Sequence, residues 1–102
     1  MKVKAHPHVY DELAYYRSWY DSKARNLGTE YLNEVDYAIE KIIESPDTWP
    51  WYDKEIGARK FLVHRFPFGV IYRKKAGAIE ILAVADLRRK PGYWKERLSF
   101  FR

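Results

Sequence analysis

The chain has no cysteine, so neither a disulfide framework nor a thiolate metal site can be part of its design. That absence fits a reducing cytoplasm. No apolar run approaches the length of a membrane span, and the opening MKVKAHPHVYDEL lacks the apolar core of a signal peptide. A soluble, cytoplasmic protein is expected. Glycine and proline are scarce, five of each, and they punctuate the chain rather than cluster. No internal repeat or low-complexity segment is visible. There is also no Gly-rich phosphate loop, carboxylate cluster or Cys/His cluster, so no metal or organic cofactor is expected. His6-Pro7-His8 would begin a metal site only if a third ligand followed, and the remaining histidine, His64, falls in a predicted strand. At 102 residues the expectation is one domain, 1–102, with a single core.

What the chain has in plenty is positive charge, unevenly placed. Residues 1–58 hold 7 Lys/Arg against 11 Asp/Glu, whereas residues 59–102 hold 12 against 3. The two halves therefore carry −4 and +9, which together make the net +5. Arginine interleaved with tyrosine, tryptophan and phenylalanine in the second half points to a binding face for an anionic partner, nucleic acid or an acidic protein.

Periodicity divides the chain in the same place. Met1 to Ala5 alternates, with Val3 and Ala5 on one side, as a short strand does. Val9, Leu13, Tyr16, Tyr20, Ala24 and Leu27 then form one apolar stripe at helical spacing. Asp11 and Glu12 lie in the first turns of that helix, where acidic groups complement its dipole. Gly28 is expected to break the helix and Thr29 to cap a second one carrying Leu32, Val35, Ile39 and Ile42, which stops by Ser45-Pro46. The helices form an αα-hairpin needing a sheet to cover, and their tyrosines and Trp19 read as core and rim. Pro46 to Tyr52 reads as an aromatic loop. From Arg59 the pattern becomes three strands: Lys60–Phe66, Val70–Tyr72 and Ile79–Val84. They are separated by a turn or bulge at Pro67-Phe68-Gly69 and a hairpin turn around Ala76-Gly77. The expected fold is α+β, β-α-α-β-β-β, an antiparallel sheet packed against an α-helical hairpin. Its last strand delivers Arg88 to Trp94 to one end of the sheet. The tail Trp94–Arg102 reads as a last helical turn or an extended end. Its Leu98, Phe100 and Phe101 are too apolar for a free end.

The segments RFPFGVIYR (Arg65–Arg73), IEILAVADLRR (Ile79–Arg89) and PGYWKER (Pro91–Arg97), in this element order, closely resemble the RelE/ParE superfamily. These are the toxins of bacterial type II toxin–antitoxin pairs, and many members with this combination are described as ParE-like or plasmid-stabilisation proteins. The resemblance spans nearly the whole chain.

It implies one of two mechanisms. ParE-type relatives inhibit DNA gyrase by protein contact and need no catalytic set. RelE-type relatives cut mRNA at the ribosome, a reaction needing a base, cations for the developing charge and an acid. For that chemistry the resemblance points to Lys60, Arg88, Arg89 and Tyr93. It also places Gly69 where RelE-type enzymes carry a phosphate-binding arginine, and Leu62 at a strand lysine. Leu87 falls at the second active-site arginine, with Arg88 adjoining, and Asp86 where close relatives often have histidine. A ParE-like inhibitor is the preferred expectation; an inactive relative or a nucleic-acid-binding module is a third. Arg65, Arg73, Lys90, Trp94 and Arg97 are expected to meet the target or RNA. Either mechanism implies a small acidic antitoxin in a hetero-oligomer. It would contact Leu98, Phe100 and Phe101 as well as the basic half.

Overall fold

The computed structural model describes residues 1–101; Arg102, the last residue of the expected tail, lies outside them. Strand β1 (Lys2–Ala5) leads into helix α1 (Pro7–Lys23), then helix α2 (Leu27–Glu44) and the short strand β2 (Trp51–Asp53). The meander β3 (Ala58–Leu62), β4 (Phe68–Lys75) and β5 (Ala78–Asp86) follows, and a 3₁₀ segment over Lys95–Phe101 closes the described chain. The sheet order is β1-β5-β4-β3-β2. The fold is α+β, with both helices on one face of the sheet.

The meander is antiparallel, as its pattern predicts. The whole sheet is not. Strand β1 pairs with β5 in parallel, Lys2 opposite Ala78 and Ala5 opposite Ile81, so the sheet is mixed. Val3 does not point into a core either: it is 38% exposed, because the helices lie over the central strands and leave this edge uncovered. The β4–β5 hairpin turns on Ala76 (φ 51°) and Gly77 (φ 75°) between the paired Lys75 and Ala78. Two positive φ values suit the right-handed twist of the flanking strands. The Pro67-Phe68-Gly69 turn is displaced. Phe68 and Gly69 belong to β4, and the reversal occupies residues 63–67, where Arg65 takes φ 72°. Phe68 is fully buried, which explains why the strand starts early. The aromatic loop holds β2, which pairs with β3 through Trp51–Arg59 and Asp53–Ala58.

Helix α1 starts two residues before the apolar stripe. His6 Nδ1 accepts from His8 N at 3.0 Å as its N-cap, with Pro7 at the first position. Gly28 is not a breaker but the second residue of α2, whose N-cap is Asn26 at φ 63° rather than Thr29. A Cβ at Gly28 would collide with the Arg17 carbonyl oxygen and lie 2.7 Å from Asp21 Oδ1. The glycine lets the two helices touch, and its N–H donates to Asp21 at 2.7 Å. Gly28→Ala is therefore expected to cost about 1–3 kcal/mol through forced separation of the helices. A urea melt indistinguishable from the parent's would refute the close approach.

The core on the helix side packs Tyr20, Tyr31, Phe66 and Phe68 edge to face or tilted, with ring centroids 4.9–6.2 Å apart. The tyrosines divide. Tyr16, Tyr20 and Tyr31 pack there, whereas Tyr10, Tyr15 and Tyr37 are at least half exposed. Tyr31 is wholly buried, and its hydroxyl has no hydrogen-bond partner among the described residues. Tyr31→Phe should thus stabilise the domain by about 1 kcal/mol, since it removes a desolvated hydroxyl and little else. A lowered melting temperature would show that the hydroxyl is satisfied after all.

Burial pushes Tyr16 and Tyr72 up to about 12 from an ordinary 10.0. The folded chain prefers these phenols protonated. The stability they confer is complete below pH 10 and disappears as pH rises towards 12. In an alkaline titration, part of the tyrosinate absorbance should emerge only with loss of near-UV circular dichroism. Full ionisation with tertiary signal intact would contradict this burial.

A second core lies on the opposite face. Ala58, Ile71, Leu82, Ala83 and Ala85 meet Trp94 and Phe101, with Tyr52, Tyr93 and Leu98 at its margin. The apolar tail thus folds back over the sheet; Phe100, at 56% exposure, remains outside. No helix among the described residues is long and apolar enough to cross a membrane.

Candidate functional site

Strand β5 carries one more residue than β4 can match. The register slips between Ile71–Ala83 and Tyr72–Ile81, leaving Leu82 unopposed. Such a bulge frees backbone groups that need partners. Strand β1 supplies none beyond Ala5, and two side chains do so instead. Arg97 donates to Leu82 O at 3.0 Å, and Glu12 accepts from Val84 N at 3.1 Å. These two also pair with each other, Arg97 Nη1 and Nη2 reaching the two Glu12 oxygens at 3.1 and 3.0 Å. Tyr93 completes the knot by donating its hydroxyl to Glu12 Oε2 at 2.6 Å. Both ionic side chains are nearly buried, at 12% and 9% exposure. Burial, reinforced by that hydrogen bond and the Glu12 charge, raises the Tyr93 phenol well above its ordinary value.

Beside this knot, on the face away from the helices, a cleft of about 220 Å³ opens at the end of the sheet. It is lined by Tyr52, Lys60, Asp86, Arg89, Lys90 and Tyr93, with Trp94 in its wall. Lys60 Nζ stands 5.1 Å from the Tyr52 ring centroid, and the Arg89 guanidinium lies 3.8 Å over Tyr93. The stem of Lys60 also explains Gly69, since a Cβ there would sit 3.0 Å from Lys60 Cγ and 3.4 Å from Leu87 Cδ2. The place that the resemblance gives to a phosphate-binding arginine is filled by this lysine and Leu87.

Asp86 is fully engaged. It accepts from Arg88 N, Nε and Nη2 at 2.9–3.0 Å and from the Tyr16 hydroxyl at 3.0 Å. The Arg88 hydrogen bonds, above all, hold its carboxyl below the usual range, which makes it a poor base near neutral pH. No group of three His, Asp or Glu able to hold a metal occurs among the described residues.

The structure thus gathers Lys60, Arg89, Lys90, Tyr93 and Trp94 around one cleft, although Trp94 is 1% exposed and offers no free indole face. Arg88 lies outside it, bridged to Asp86. Arg65 is at the same end of the sheet but on the helix side, paired with Glu30 at 3.0 Å. Arg73 is in the opposite direction along β4, bound across the ladder to Glu80 at 2.6 Å and nearly buried. Arg97 is committed to Glu12. Leu98 and Phe101 pack in the second core; Phe100 rests on His6, with ring centroids 4.9 Å apart. Sequence reasoning misses the role of Glu12 in the knot, since its place in the first turns of α1 suggests only a complement to the helix dipole. A signal was present: Glu12 lies on the same stripe as Val9, Tyr16 and Tyr20.

No family model matches the chain, and no curated protein matches it. Among solved structures, it is similar to a chain of the "Chromosomal ParDE TA system from P. aeruginosa", with a TM-score of 0.76 and 16% sequence identity. The match covers 85% of this chain and 96% of that one. The chain therefore has the fold of that ParDE chain, in line with the ParE-like fold its motifs resemble.

Proposed function

We propose that this chain is the toxin of a type II toxin–antitoxin pair and arrests growth by binding DNA gyrase in the cytoplasm. A small acidic antitoxin would restrain it within a hetero-oligomer. The observation that carries this reading is the fold shared with the ParDE chain over most of both molecules. The state of the nuclease-type groups supports it further. Tyr93 is tied to Glu12, Asp86 is neutralised by Arg88, and Gly69 carries no arginine, its side-chain position being crowded by the Lys60 stem. A toxin acting by surface contact needs none of them. The basic second half suits an acidic antitoxin by charge, and Phe100 is the member of the apolar tail free to meet it.

The cleft favours a second reading, a ribosome-dependent endonuclease, because it places Lys60, Arg89 and Tyr93 side by side. Induction of the chain alone and beside an antitoxin, with RNA 5′-end sequencing and a gyrase supercoiling assay, separates the two. Lost supercoiling with intact messages is expected. Codon-positioned cuts that disappear in the Arg88→Ala, Arg89→Ala double variant would replace the gyrase reading with the nuclease. Unimpaired growth on induction, with messages and supercoiling both intact, would leave an inactive relative.

A further inference from the structure

We propose that the outer flank of α1, together with the loop after β5, forms a binding track for single-stranded nucleic acid. Tyr15 and Trp19 stand one turn apart on the same flank of α1, at 64% and 38% exposure. Lys23 continues the stripe by one more turn, its Nζ 4.9 Å from the Trp19 ring. Neighbouring Val9, Tyr16 and Tyr20 are spent on the core, so core packing does not account for the outer pair. The hydrogen bond from Tyr16 to Asp86, and the bridge from Asp86 to Arg88, bring the end of β5 against this flank. Arg89 and Tyr15 consequently line one open groove of about 380 Å³. Arg89 also borders the Lys60 cleft, so it links the two depressions.

The chemistry of the track is alternately planar and cationic. Tyr15 offers an exposed ring and Trp19 a partly exposed one, with Lys23 standing over it. Lys23, Arg89 and Lys90 offer positive charge, whereas Arg88 is spent on Asp86; Arg89 has no carboxylate within 4.0 Å among the described residues and lies over Tyr93. Against them stand Asp11, exposed in the groove, and the internally paired Glu12 and Asp86. Phosphates spaced along a strand suit such cations, and unpaired bases suit the rings. A duplex keeps its base faces stacked inside, and an acidic polypeptide has no succession of planar groups to stack. This track does not depend on the gyrase reading, because nucleic-acid binding and supercoiling inhibition are measured separately.

Fluorescence anisotropy with labelled oligodeoxyuridylate, oligouridylate and an abasic oligomer of equal length tests the track. Both base-bearing strands should bind more tightly than the abasic one, and a preference between them identifies the sugar that is read. Trp19→Ala should weaken binding about tenfold through lost stacking. Arg89→Ala should make the salt dependence shallower by about 0.7 in log–log slope, one phosphate contact. Tyr15→Ala, at a more exposed position, carries the stacking test if Trp19→Ala perturbs folding. Absent binding, equal affinity for the abasic oligomer, or equally effective displacement by polyglutamate would overturn the proposal.

Discussion

Replacing Glu12 by alanine is expected to lower the unfolding free energy by about 3–5 kcal/mol, the usual cost of removing one partner of a buried ion pair. Three groups lose their acceptor at once: the Arg97 guanidinium, the Tyr93 hydroxyl and the Val84 N–H. Arg97 cannot escape to water easily, because its other hydrogen bond holds it to Leu82 O. The melting temperature should drop by roughly 15–30 °C for a domain of this size. Glu40→Ala, at an exposed position on α2, should stay within about 0.5 kcal/mol of the parent. Many buried ion pairs can be exchanged for apolar residues with little loss. Here Glu12→Leu with Arg97→Met should remain destabilised, because the bulge at Leu82 keeps its need for a donor and an acceptor. Recovery of full stability in that double variant would show that the pair does not serve the bulge.

Trp94→Ala should cost about 3–5 kcal/mol, the range for deleting a large aromatic from a core. The indole is 1% exposed and sits over Ala58, Ile71, Leu82 and Ala83, its ring centroid 5.7 Å from that of Tyr52. Small residues on the sheet leave the space that this one side chain fills. Its loss should also free the following 3₁₀ segment, whose Phe101 belongs to the same cluster. Hydrogen exchange should then show amides of residues 95–101 opening well before the β4–β5 hairpin. Trp94→Phe should recover much of the stability. An alanine variant as stable as the parent would place the indole outside the core and return it to the binding surface.

How much of this was legible in the sequence varies by feature. The helical hairpin and the meander were, because a stripe at helical spacing and β-branched runs between turn residues report local geometry directly. Element boundaries suffered where a residue had two uses. Gly28 resembles a helix breaker and is a close-packing glycine; Phe68 and Gly69 resemble a turn and belong to a buried strand. The parallel pairing of β1 was not legible, since alternation in five residues carries no information on the direction of a distant partner. The site was half legible. Motif resemblance drew attention to Lys60, Arg89 and Tyr93, which do share a cleft. The commitment of Tyr93 and Arg97 to Glu12 joins residues more than eighty positions apart. No local pattern encodes such a distance.

The parallel pairing of β1 with β5 also has a kinetic consequence. The β4–β5 hairpin closes over a two-residue turn, so its contacts can form early and at little entropic cost. Strand β1 precedes its partner by about three quarters of the chain, and Glu12 waits longer still for Arg97. The domain's first strand is therefore among the last to pair. A nascent chain holding β1, α1 and α2 has neither the β5 edge nor the Arg97 clamp, and the basic cleft does not yet exist. Whatever this surface does, it can do only once translation has passed residue 97.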